Sequence, residues 1–211
     1  MKGKIISSLV FVALLTYAGN VLAIPFGFTQ VTSNGPVNVS DQLIVDVANA
    51  GSGESVFTFT NTGNLASFIS QIYFDFGTLT PLIFGGFSNF GNVSYVTPDT
   101  PANLPGGGTF DSDWNAGPTS PGTGGDGIDN WTGSGTQDSL SISFTGPEFS
   151  AILTALNDRN LRIGLHVQGI GNYSESYINT TTPVPEPASM LLFGTGLISL
   201  AGVASRKRNK K

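Results

Sequence analysis

The side chains best equipped for chemistry lie in one stretch rich in Gly, Pro, Ser, Thr and Asp, residues 105–135. It holds Asp111, Asp113, Asp126 and Asp129 together with Trp114 and Trp131, the only two tryptophans of the chain. Two chemistries suit that set. An indole face stacks on the apolar face of a sugar ring while neighbouring Asp, Asn and Thr groups fix its hydroxyls. Clustered carboxylates can also bind a divalent cation, but calcium needs roughly six to eight oxygens in a fixed loop. Asp126-Gly127-Ile128-Asp129 lacks the dense Asp/Asn spacing of an EF-hand. The expectation is therefore turn-forming aspartates and no metal. For the tryptophans a structural role competes with sugar stacking, since large aromatic rings cap a core edge wherever they can bury area. A possible ligand loop thus comprises Trp114, Trp131, Asp126 and Asp129.

Catalytic signals are weak elsewhere. His166 is the single histidine and no cysteine exists, which excludes zinc motifs built on two histidines, thiol catalysis and thiolate metal sites. No Gly-x-Ser-x-Gly elbow supplies a serine nucleophile. Glu54, Glu148 and Glu175 could furnish a glycosidase pair, but that chemistry demands two carboxyls at a set separation across a cleft, which spacing along a chain does not specify. Gly122-Thr123-Gly124-Gly125-Asp126-Gly127 fits the dinucleotide pattern without the preceding strand and following helix that give it meaning, and reads as loop composition. No catalytic residue and no cofactor is assigned.

The elements that would position these residues show a period of two. Residues 139–145 alternate Leu140, Ile142 and Phe144 with serines, and residues 161–168 alternate Leu161, Ile163, Leu165 and Val167 with Arg162, Gly164, His166 and Gln168. This alternation puts His166 and Arg162 on the polar, solvent-facing side of their strand. Residues 55–60 and 70–76 repeat the pattern with aromatic and β-branched side chains, separated by a turn or short loop at 61–64. Further strands are expected within 37–47, 82–87, 93–96 and 173–178. One helix is expected from Pro147, a residue suited to a first helical position, with Phe149, Ile152, Leu153 and Leu156 on one face. Many short strands, glycine-rich turns and one short helix predict an all-β fold, an antiparallel β-sandwich of jelly-roll type.

Charge is distributed unevenly. Between residues 24 and 187 stand all fourteen Asp and Glu of the chain against only Arg159 and Arg162, with no lysine. Such a body repels nucleic acid and anionic lipid head groups. The cations gather at the two ends. Lys2 and Lys4 precede an apolar run over 5–18, and Val21-Leu22-Ala23 ends in the small residue that signal peptidase favours, so 1–23 reads as a signal peptide that engages the Sec translocon and is cleaved after Ala23. A body over 24–179 follows. At about 160 residues with its linker it is large enough to fold as one domain without disulfides. Residues 180–187 form a Pro-rich linker. The apolar run 188–204 then reads as a membrane span, and Arg206, Lys207 and Arg208 begin a basic stop on the cytoplasmic side of the inner membrane, within 188–211. As a helix that run is about 25 Å long, short for a hydrocarbon core of about 30 Å.

Val184-Pro185-Glu186-Pro187, the glycine-containing apolar run and the Arg-rich end occur together in order, and in this they resemble the PEP-CTERM sorting domain of Gram-negative bacteria. Residues 161–170 and 174–179 are similar to the end of an ectodomain type carried by such proteins. The resemblance implies processing near the Pro-Glu-Pro motif by an exosortase, an integral-membrane transpeptidase-like enzyme, in systems tied to exopolysaccharide and biofilm production. Pro183, Pro185 and Pro187 deny that segment regular hydrogen bonding and favour an extended chain that a membrane protease can reach. The expected course is an inner-membrane-anchored precursor, then display at the cell surface or in the extracellular matrix. For the body the leading expectation is a structural or adhesive component. A saccharide-binding module comes second and a glycoside-active enzyme last.

Overall fold

The computed structural model of the chain describes residues 23–79, 81–120, 125–130 and 137–184. Eleven strands are found there: β1 (Ile24–Gln30), β2 (Leu43–Gly51), β3 (Glu54–Asn61), β4 (Phe68–Asp75), β5 (Ile83–Phe90), β6 (Tyr95–Val96), β7 (Trp114–Pro118), β8 (Ile128–Asp129), β9 (Ser139–Thr145), β10 (Arg162–Ile170) and β11 (Tyr173–Pro183). One short helix, α1 (Phe149–Asn157), joins β9 to β10. The strands alternate as the sequence predicts where one face is wet. In β9, Leu140, Ile142 and Phe144 point inward, and in β3, Phe57 and Phe59 do the same.

All pairings are antiparallel and follow one path, β5-β9-β3-β2-β1-β11-β10-β4-β7-β6, with β8 also on β4. The expected all-β architecture with one short helix is present. Its strands, however, form a single sheet that is nearly closed on itself, in place of the jelly-roll pairing. Alternation reports which face of a strand is buried and carries no information on which strand lies beside it.

Aromatic side chains fill the space inside the curl. Phe74 of β4 meets Phe57 of β3 edge-on at 5.1 Å between ring centroids and Phe144 of β9 at 5.0 Å. Trp114 of β7 lies 5.4 Å from Phe84 of β5, so the first strand of the hydrogen-bonded path meets the next-to-last one through their side chains. Edge-to-face packing of this kind adds roughly 0.5–1.5 kcal/mol per pair to the area buried. α1 contributes Ile152, Ala155 and Leu156 to the same core. It begins at Phe149, two residues after Pro147, because Glu148 keeps an extended backbone and serves as the residue before the first turn.

Three strands depart from the expected pattern. β1 carries Pro25 and Gly27, which interrupt its alternation, yet it lies between β2 and β11 and buries Phe26 and Phe28. β7 and β8 fall inside the stretch 105–135 that reads as a loop. They are held by register with β4, Trp114 opposite Phe74 and Ile128 opposite Ile69. In the expected strand 37–47, residues Ser40–Gln42 form a 3-10 turn instead, and β2 starts at Leu43. Gln42 turns inward there, its Nε2 donating to Asn61 Oδ1 and to Leu65 O, both at 2.8 Å. Among the described residues no helix is long and apolar enough to cross a membrane, and the expected span over 188–204 lies outside them.

Candidate processing site at the paired termini

The first and last strands of the body are neighbours. β1 and β11 run antiparallel with Gln30 opposite Tyr177, Phe28 opposite Asn179 and Phe26 opposite Pro183. Between the last two pairs β11 carries extra residues in a bulge, where Thr180 Oγ1 donates to Thr182 O at 2.9 Å. The chain then re-engages. Val184 donates its N–H to Pro25 O at 2.7 Å, and a Cβ built on Gly27 would stand 3.1 Å from Val184 Cγ2. The missing side chain of Gly27 thus makes the seat for Val184. Pro185 follows with no N–H to offer the ladder. Val184 is the first residue of the sorting motif, and Ala23 precedes the β1 residue that opens the body, so both expected processing points issue from the same end of two neighbouring strands.

The neighbouring carboxylate is structural. Glu175 of β11 is fully buried and anchors the turn after β1. Its Oε2 accepts from Thr32 Oγ1 and its Oε1 from the N–H groups of Asn34 and Gly35, each at 2.6 Å. Burial by itself would raise the carboxyl. The hydrogen bonds from Thr32, Gly35 and Asn34 outweigh it and hold the group below the ordinary glutamate value. With both oxygens engaged, Glu175 acts as an anchor for residues 31–35. Glu54 opens β3 and Glu148 precedes α1.

Among the described residues of the stretch 105–135, the aspartates are spread over both ends of β4. Asp113 Oδ2 accepts from Phe76 N–H at 2.7 Å, and the Asp111 N–H donates to Asp75 Oδ2 at 3.2 Å, both at the C-terminal end of β4. Asp129 is opposite Phe68 at the other end of that strand, about 20 Å away for a strand of this length. Asp126 accepts from Thr119 Oγ1 through Oδ2 and from Ser94 N–H through its carbonyl, closing its own loop. Trp114 is half-buried, its ring within 5.2–6.2 Å of Phe144, Phe84, Phe74 and Phe87. It does what the structural alternative predicted, capping the edge of the core. Trp131 lies outside the described residues, as do 1–22, Pro185, Glu186, Pro187, the apolar run, Arg206, Lys207 and Arg208.

His166 and Arg162 require a correction. Their face of the sheet is covered by residues 97–113, which cross over β4 and β10. Leu104 and Phe110 pack there on Tyr73 and Ile178. Close approach is possible because position 164 is glycine, where a Cβ would meet Leu104 at 3.0 Å and Phe110 at 3.1 Å. Arg162 pairs with Asp75 through Nη2 and through Nε at 3.0 Å, and its guanidinium stacks over Phe110 at 5.2 Å. His166 Nδ1 lies 3.1 Å from Gln71 Oε1, and burial pushes the imidazole below its usual value. Tyr73 donates to Gln71 Oε1 at 2.9 Å, while Gln71 Nε2 donates to Asp99 Oδ2 at 2.9 Å. A covered polar network thus replaces the exposed face expected from alternation. Among the described residues no group of three or more His, Asp or Glu is placed to hold a metal ion.

Sequence reasoning missed Pro25 and Gly27 because proline and glycine count against a strand. The spacing of Phe26 and Phe28 was the available signal. No curated protein matches the chain, and neither does any solved structure. The family model described as the PEP-CTERM protein-sorting motif matches residues 183–208, beginning at the residue paired with Phe26. The chain is a PEP-CTERM-containing protein, and its motif implies export and membrane processing by an exosortase.

Proposed function

We propose that the body is a non-enzymatic structural or adhesive component of the cell surface or extracellular matrix, associated with exopolysaccharide and biofilm, and released to that place by removal of its C-terminal tail. The observation that carries this reading is continuity. β11 passes from the sheet into the sorting motif with Val184 still hydrogen-bonded to the body. A sorting motif that begins where β11 ends suits a precursor held against the inner membrane at one end of its strands, beside the point where the signal peptide leaves. The acidic, lysine-free body supports solubility and hydration once it is free. Glu175, which could have supplied one carboxyl of a glycosidase pair, anchors a turn in this fold.

The saccharide-binding reading rests on Trp114 and Trp131. Trp114 is engaged by four aromatic rings, which weakens that reading for its face. Fractionation of cells with and without the processing enzyme tests the main proposal. The expected result is membrane-held precursor without the enzyme and a surface or extracellular chain lacking Arg206 to Lys211 with it. Unchanged aggregation, surface hydration and biofilm on gene deletion would remove the structural role. A glycan array that retains the protein through Trp131 would favour the second reading.

A further inference from the structure

The sheet path holds β1 between β2 and β11, and β11 returns to β1 after its bulge through Phe26 opposite Pro183 and the Val184 N–H on Pro25 O. Two independent features make this return a built contact. One is the 2.7 Å hydrogen bond, given by the last residue before a proline that cannot donate. The other is the buried Gly27, whose lack of a Cβ leaves room beside it for the Val184 side chain, which packs there by one face and is otherwise exposed. A protease must bind its substrate in extended form, so backbone already committed to a neighbouring strand is cut only through local opening.

We infer that β1 is a clamp that sets the upstream limit of tail removal: scission of the folded precursor falls C-terminal to Val184, and the mature chain keeps β11 whole. The inference rests on the sorting reading for its consequence in the cell, but the clamp itself is a property of the fold. It makes the residues just behind the signal-peptide junction positioning residues for processing at the other end of the chain. Ile24, Pro25 and Phe26 are also tied to Val47, Asp46 and Val45 of β2, so the clamp is anchored in the body.

Two measurements on the full-length chain separate the clamp from the sorting reading. In detergent micelles, amide hydrogen exchange should slow the Val184 N–H at least about tenfold relative to an unstructured amide. Gly27→Val should abolish that protection while β4 and β10 remain protected, which shows that the variant has folded. Exchange of Val184 at the unstructured rate in the parent overturns the clamp. In cells carrying the processing enzyme, intact mass should place the mature C-terminus at Val184 or beyond, and Gly27→Val should add termini within 180–183. A parent terminus upstream of Pro183 also overturns the clamp. Retention of Arg206 to Lys211 overturns the sorting reading instead, and the exchange result then decides the clamp alone.

Discussion

The two walls of the curled sheet share one inner pattern and differ on their outer faces. In β3 and β9 the inward residues Phe57, Phe59, Leu140, Ile142 and Phe144 are fully buried, while Thr58, Thr60, Ser141 and Ser143 keep partial contact with solvent. In β4 every residue is buried, because residues 97–113 cover the outer side that carries Gln71, Tyr73 and Asp75. The first wall is stabilised by apolar packing on one side. The second also depends on satisfying buried polar groups, where an unpaired donor or acceptor costs more than a made hydrogen bond contributes. No buried side-chain N or O among the described residues lacks a partner.

The largest disturbance should come from the shared interior. Phe74 touches both walls, and Phe74→Ala is expected to lower unfolding free energy by about 3–5 kcal/mol in chemical denaturation. A loss below about 1 kcal/mol would mean that the walls do not meet at that ring. Next is the covered face. Asp75→Ala leaves Arg162 without its carboxylate under Phe110 and should cost about 3 kcal/mol. Proteolytic nicking within 97–113 should rise with it, whereas equal resistance would show that the loop is held without the ion pair.

Glu175 sharpens the comparison through pH. Its folded carboxyl titrates below its unfolded value, so its contribution is complete above an unfolded pKa of about 4.3 and is lost as pH falls through the folded value. Glu175→Gln should cost about 2 kcal/mol at neutral pH, and the gap to the parent should close on acidification. Denaturant midpoints at pH 7 and pH 3 measure this, and a constant gap would contradict the assignment. The smallest effect belongs to the wet face. Thr58 Oγ1 and Ser141 Oγ are 2.8 Å apart across β3 and β9, and Thr58→Ala should cost about 0.5 kcal/mol by the same assay.

Legibility followed the same division. Residues 139–145 were readable to the residue because one face of β9 meets water and the other meets the core. Trp114 was readable as an edge cap from its size, but the strand β7 around it was not, since Trp114–Pro118 has no alternation and owes its form to β4. His166 was misplaced because a period of two distinguishes two faces without revealing that a distant loop covers the second. The candidate site was half legible. Val184 to Pro187 stand out in the chain, whereas Pro25 and Gly27, the partners of Val184, lie far from it in sequence.

From the sequence alone came the all-β class, the helix over residues that bury Ile152 and Leu156, the concentration of negative charge in the body and the order of motif, apolar run and basic end. Those features are local, set by side-chain type and by spacing within a few residues. Tertiary structure alone decided that the sheet curls into a nearly closed form, that a loop buries β4 from outside and that the two ends of the body meet at β1 and β11. Each of these is a choice of neighbour between segments far apart in the chain. Such choices depend on which surfaces fill the shared interior and satisfy the hydrogen bonds left over, and no local pattern encodes that.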